Sequence, residues 1–296
     1  MTREIKAQEA ISSSTSLLAS AGAAFVNKDL DSAEAQTRRY ITAEPRAAQG
    51  MYLMGRILEQ RHLPTQSLSW LTKAAALRPP TGEDLRRVAM DYVLLGDYND
   101  AFHWLTRSTE LSASNAESWY DLGRTLMMQG KFHDAQRPLE KALALSPKSV
   151  KTENNLGVVL EAENNTNEAE EAYQKAIEWQ ESSAHPSEQP LLNYGTLLTA
   201  HNRTAEALLL LRRAEAIAPD DVRCNEELAR ALDQHGEFAD ALAYMKLAVR
   251  LQPNSARLHF RLGNIYRHAG QQEMARQESK ISQQLYGSHS SPSNLP

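Results

Sequence analysis

Apolar residues return along this chain at the spacing of helix faces, and the faces themselves return every 34 residues. Between Ala116 and Ser149 the apolar and small positions are Trp119, Leu122, Gly123 and Leu126, then Ala135, Leu139 and Ala142. Steps of three and four place each set on one side of an α-helix. Gly130 separates the two sets, where a left-handed residue ends a helix without a clash at Cβ. Pro147 follows the second set, in a place where no helix could continue through it. The pattern predicts helix, turn, helix, turn.

The pair Leu122-Gly123 recurs as Leu156-Gly157, and backwards as Val88-Ala89 and Met54-Gly55. Beyond one short insertion it recurs as Tyr194-Gly195, Leu228-Ala229 and Leu262-Gly263. The second helix keeps a small residue at Ala101, Ala135, Ala169, Ala207, Ala241 and Ala275. The turn between helices holds Gly96, Gly130, Gly236 and Gly270, with Asn164 and Asn202 as substitutes that tolerate the same conformation. Eight repeats start near Ser14, Ala48, Gly82, Ala116, Val150, Glu188, Val222 and Ala256. The four extra residues before Glu188 fall within 181–187, as a longer loop or as an added helical turn broken at Pro186.

A fixed period in this range is the mark of a stacked array. The expected fold is all-α, a right-handed α-solenoid of about eight helix-turn-helix repeats spanning 14–286 as one body. Residues 1–13 extend or lengthen the first helix, and the Ser- and Pro-rich 287–296 form a disordered tail. The first repeat is the least regular, with Ser20-Ala21 where Leu-Gly is expected, Ala24 where a large residue is expected and Thr37 at the aromatic position. Ser279 and Ser282 stand where neighbours are apolar, which marks the last helix as a polar cap.

Trp119, Leu122-Gly123, Ala135 and Pro147 resemble the tetratricopeptide repeat, whose pattern is W-x2-L-G-x2-Y, A-x3-F and a closing Pro. The resemblance covers most of the chain, because the fixed positions return in repeat after repeat. It implies that first helices line a concave groove that binds an extended peptide or a segment of a partner protein.

Groove positions divide into three zones. The third to fifth repeats supply Met90, Val93, Leu94, Tyr120, Met127, Met128 and Val158, with Arg86, Arg87 and Arg124 nearby. Methionines there suit varied apolar ligands; Leu94 and Met128 are equally readable as core under the next repeat. Asn155 and Asn193 stand at equivalent positions, with Asn154 beside the first and Asp121 one repeat earlier. The resemblance implies a ladder of amides along a peptide backbone, and an amide both donates and accepts. Arg87, Glu227 and Arg261 replace Asn at this position elsewhere. The seventh and eighth repeats carry Arg223, Glu226, Glu227, Arg230 and Asp233, then Arg257, Arg261, Asn264, Arg267 and His268. Arg257 and Arg261 are four apart and share a helix face that suits an acidic motif, unless the nearby carboxylates already hold the arginines. The carboxylate-gripping set of some family members is present only as the fragment Arg124 and Asn155.

Composition narrows the reading further. A formal net charge of -5 argues against nucleic acid as the main partner. No apolar run approaches the ~18 residues of a membrane span, so no membrane insertion is expected. Ser12 to Ser16 interrupt the one stretch resembling a signal peptide. A cytoplasmic location is expected, with a periplasmic or exported one as the alternative. Cys224 is the only cysteine, which excludes an internal disulfide. No phosphate-loop, dinucleotide or nucleophile-elbow motif occurs, and the histidines, His201 and His235 included, lack metal-ligand spacing. No cofactor, metal or catalytic residue is assigned. The expected function is a non-catalytic scaffold or adaptor. The alternatives are a regulatory or substrate-recruiting subunit of an enzyme, secretion or assembly complex, and a self-assembling scaffold. A monomer or weak homo-oligomer is expected, with Met51, Tyr52 and Leu53 as an exposed patch for self-association.

Overall fold

Side-chain caps set where many of the helices begin. Asp29, Asp97 and Asp221 each accept a hydrogen bond from the backbone N–H three residues on, as does Ser255, and Asn115 accepts from two amides. Thr81 and Asp84 form a reciprocal capping box. Pro64 opens another helix, where its missing N–H costs nothing. The computed structural model describes residues 2–289, and no strand occurs among them.

The helices fall into two compact bodies, 1–147 and 148–296. The first holds α1 (Thr2–Val26), α2 (Leu30–Ala43), α3 (Ala48–Gln60), α4 (Pro64–Ala75), α5 (Gly82–Leu95), α6 (Tyr98–Leu111), α7 (Ala116–Met128) and α8 (Phe132–Leu145). The second holds α9 (Val150–Ala162), α10 (Thr166–Gln180), α11 (Gln189–Ala200), α12 (Thr204–Ile217), α13 (Val222–His235), α14 (Phe238–Leu251), α15 (Ala256–His268) and α16 (Gln272–His289). Within each body, successive helices pair as antiparallel hairpins and the hairpins stack. The first helices also touch one another: α3 with α1 and α5, α7 with α5, α11 with α9 and α13, α15 with α13.

All eight hairpin turns place one residue in the left-handed region at the same beat. They are Lys28 (φ 61°), His62 (57°), Gly96 (78°), Gly130 (73°), Asn164 (64°), Asn202 (61°), Gly236 (89°) and Gly270 (76°). The periodic small residues of the first helices let hairpins close. A Cβ on Gly55 would lie 2.6 Å from Leu71, on Gly123 2.6 Å from Leu139, and on Gly195 2.6 Å from Leu211. On Gly157 it would lie 2.6 Å from the ring of Tyr173. Helices at this distance exclude even one methyl group.

Several expectations change here. Met51, Tyr52 and Leu53 are buried, so they offer no patch for self-association. Tyr52 packs under the Arg78 guanidinium and donates its hydroxyl proton to the Arg78 carbonyl at 3.0 Å. Ser282 is no mark of a cap: it is buried and donates to the Ala256 carbonyl at 2.8 Å, as Ser108 does to the Gly82 carbonyl at 2.7 Å. A hydroxyl fits there because the position demands smallness, and Ala142 and Ala248 fill it in other repeats. The insertion is a loop, and α10 ends at Gln180. The buried Gln180 amide clamps it, donating to the Ser187 carbonyl at 2.8 Å and accepting from its N–H at 2.9 Å. Helix α16 continues through 287–289, where a disordered tail was expected to begin; 290–296 lie outside the described residues.

Candidate functional site

In the N-terminal body the faces of α3, α5 and α7 are joined by a chain of charges. Arg87 donates to Glu59 of α3 at 3.0 Å and pairs with Glu83 one turn back at 3.0 Å. Arg86 holds Glu83 through two hydrogen bonds of 3.0 and 3.1 Å and reaches Asp121 of α7 at 2.6 Å. Burial pushes the Glu83 carboxyl up, but the hydrogen bonds from Arg86 and the charges of Arg86 and Arg87 outweigh it and hold it below the usual carboxylate range. At Asp121 burial prevails over Arg86 and raises the group. Asp121 is therefore a buried ion-pair member, with Arg124 acting on it from one turn away.

The apolar candidates lie beside this chain of charges. Met90 and Val93 on α5, and Tyr120 and Met127 on α7, are half-buried. Leu94 and Met128 stand at equivalent positions in the last turns of the two helices, and each is 45% exposed. Such exposure rules out the reading of either residue as core. The charged neighbours are neutralised in pairs, so the face offers apolar and thioether surface with little net charge.

The C-terminal body treats its candidates differently. The side chains of Asn154 and Asn193 are buried and bonded to each other across α9 and α11, with Nδ2 of Asn193 donating to Oδ1 of Asn154 at 2.9 Å. Arg223 of α13 donates to Asn193 Oδ1 at 2.9 Å, and Asn154 donates to Asn155 at 3.4 Å. The pairing of Asn193 with Asn154, one residue off the expected Asn155 rung, follows from which amide faces inward. Val158 packs against the apolar core of this body.

Arginines near α13 and α15 converge on two buried carboxylates. Glu226, 1% exposed, is held by Arg257 and at 3.1 Å by Arg261. Glu227 is held by Arg230 at 2.7 Å and by Arg261 at 3.5 Å. His268 meets Asp233 at 2.9 Å. Beside them opens a cleft of about 550 Å³ lined by Asp220, Asp221, Arg223, Glu226 and Arg257 among others. Both charge signs line it. The arginines read from sequence as anion ligands are thus paired internally.

Sequence reasoning passed over Glu59 and Glu83. The spacing of Glu83, Arg86 and Arg87 along one helix signals local pairs; Glu59 has no local signal, since it meets Arg87 only through stacking. Cys224 is buried, and burial together with Asp221 pushes its thiol up to about 12, which leaves an inert thiol in the core. Among the described residues, no helix is long and apolar enough to cross a membrane.

Two compact stacks of antiparallel helical hairpins, each with a left-handed turn and a small-residue crossing at a fixed beat, define a helical-repeat protein. Models of the tetratricopeptide repeat match residues 116–149, 149–220 and 198–262. The chain belongs to the tetratricopeptide repeat family. It is 33% identical over 90 residues to the TPR repeat-containing thioredoxin TTL4 of Arabidopsis thaliana, a match covering 30% of this chain and only 13% of that protein. A tetratricopeptide repeat protein from Parabacteroides merdae has a similar fold, with a TM-score of 0.67 at 16% identity over 92% of this chain and 99% of that one. Cut9–Hcn1, an APC/C hetero-tetramer, gives 0.68 at 15% identity over 92% and 53%. PilW, a type IV pilus biogenesis factor, gives 0.63 at 22% identity over 70% and 94%.

Proposed function

We propose that the chain is a non-catalytic scaffold or adaptor that holds a segment of another protein against the α5–α7 face of its N-terminal body. The observation that carries this reading is the pair Leu94 and Met128, equivalent in two stacked repeats and each 45% exposed, beside the half-buried Met90, Val93, Tyr120 and Met127. Large apolar groups so placed are available to a ligand, and the three thioethers of Met90, Met127 and Met128 adapt to more than one side chain. The ion pairs of Arg86 and Arg87 with Glu59, Glu83 and Asp121 keep this face near neutral. An apolar segment therefore suits it better than an acidic one. Membership of the tetratricopeptide repeat family supports a protein or peptide as the ligand.

The test is selection from a displayed peptide library on the intact protein. Selected peptides are expected to be rich in apolar residues. They are expected to lose at least tenfold in affinity, about 1.4 kcal/mol, against a Tyr120→Ala, Arg124→Ala, Met127→Ala triple variant with unchanged helical circular dichroism. Acidic peptides whose binding depends on Arg257, or selected peptides that bind the triple variant undiminished, would overturn this placement.

A further inference from the structure

Ten residues into its first helix, each repeat of 34 places a side chain toward the hairpin core. From the second repeat on, these are Ile57, Asp91, Thr125, Val159, Leu197, Ala231 and Ile265, all buried. Asp91 is fully buried, and neither carboxyl oxygen has a hydrogen-bond partner. Four helices pack on α5: α3, α4, α6 and α7. The groups acting on Asp91 are Glu59 from α3, Ser67 from α4 and Arg87 from α5 itself, and α6 and α7 contribute none among the described residues. Ser67 is itself fully buried, and its hydroxyl proton is committed to the Gly55 carbonyl at 2.9 Å. What remains on Ser67 is an acceptor. A carboxylate beside it meets lone pairs, whereas a neutral acid has an O–H to donate. Arg87, the one cation acting on Asp91 among the described residues, is already bound by Glu59 and Glu83.

We propose that Asp91 enters the fold as a neutral acid, donating toward Ser67, so that the N-terminal body is held together by one bound proton and loosens at its α3–α5 core as pH rises. Burial is the main cause and the Glu59 charge adds to it, while Arg87 opposes it, and the carboxyl is pushed up to about 7. The sign follows from linkage. The folded group titrates higher than the unfolded one, near 3.9, so its contribution is complete below about pH 4 and is lost between there and about pH 7. The loss runs at up to tenfold in the folding constant per pH unit and levels off above about pH 7.5. Once charged, Asp91 competes with Glu59 and Glu83 for Arg87, one turn away.

Two measurements on the full chain decide this. In protein carrying carbon-13 at aspartate carboxyls, the resonance that Asp91→Asn removes should titrate near pH 7; a midpoint below 5 would overturn the proposal. Hydrogen exchange of α3–α5 amides, corrected for intrinsic rates, should show protection falling between pH 5 and 7 in the wild type. Asp91→Asn, which can donate to Ser67 at every pH, should lack that fall. If the amide variant does not fold, Asp91→Thr, the residue of the next repeat, replaces it. An equal fall in wild type and variant would sink the idea.

Discussion

The two bodies are built on the same beat and fill it with different chemistry. In the C-terminal body the tenth position of the first helix is Val159, Leu197, Ala231 and Ile265, and one apolar cluster runs from Ala169 to Ala275. In the N-terminal body that position includes Asp91 and Thr125, and the clusters around Ala21–Ile57 and around Ala48–Ala74 are separate. The turns differ in the same direction. The C-terminal body uses Asn164, Asn202, Gly236 and Gly270 in the left-handed position, whereas the N-terminal body uses Lys28 and His62 before Gly96 and Gly130. A left-handed residue with an ordinary side chain is strained by about 1–2 kcal/mol. The geometry of the repeat thus tolerates a carboxyl at the tenth position and strained turns, and both occur in the body that carries the apolar face proposed to bind.

The sharpest test moves the chemistry of one body into the other. Leu197→Asp puts an acid at the Asp91 position in a site 2% exposed and lined by apolar residues. It loses the leucine's burial and strands a carboxyl, so the C-terminal body should lose about 4 kcal/mol or more, measured by urea unfolding followed through hydrogen exchange of α11–α13 amides. A loss below about 1 kcal/mol would show that the position accepts acids generally and that Asp91 is unremarkable. A smaller effect separates the two hairpin crossings. Gly157→Ala drives a methyl onto the rigid Tyr173 ring and should cost about 1–3 kcal/mol, more than Gly195→Ala, which meets the movable Leu211 side chain. Equal losses would mean that backbone spacing, not the facing residue, sets the tolerance. The smallest effect lies in the turns. His62→Gly relieves the left-handed strain but gains unfolded-state entropy, so a net stabilisation of about 0.5–1 kcal/mol is expected in thermal unfolding. Destabilisation would show that the His62 side chain contributes contacts worth more than the strain.

Much of the architecture was legible because packing repeats. Small residues at Gly123 and Ala135, and turn residues at Gly130 and Asn164, are required by local geometry, so their identity reports their place. The candidate site was legible only in part. Met90, Met127, Leu94 and Met128 stand out as apolar residues off the packing stripe, yet helix period alone left open whether Leu94 and Met128 were core. Asn155 and Asn193 looked like matching rungs, because register along one helix does not say which of two adjacent amides faces the neighbouring helix. The arginines Arg230, Arg257 and Arg261 looked like ligands for an anion, because the carboxylates that hold them lie largely a repeat away.

The sequence by itself determined the helices, their pairing into hairpins and the beat on which they stack. These depend on side-chain size and backbone conformation at fixed intervals, which a single chain displays in its spelling. Only the tertiary structure decided which charges cancel and which polar groups are buried. Glu59 meets Arg87 across 28 residues and Arg86 meets Asp121 across 35, and Asp91 loses water only when α3 and α4 close over it. Electrostatics and desolvation depend on distance in space and on burial, and stacking creates both between residues far apart along the chain.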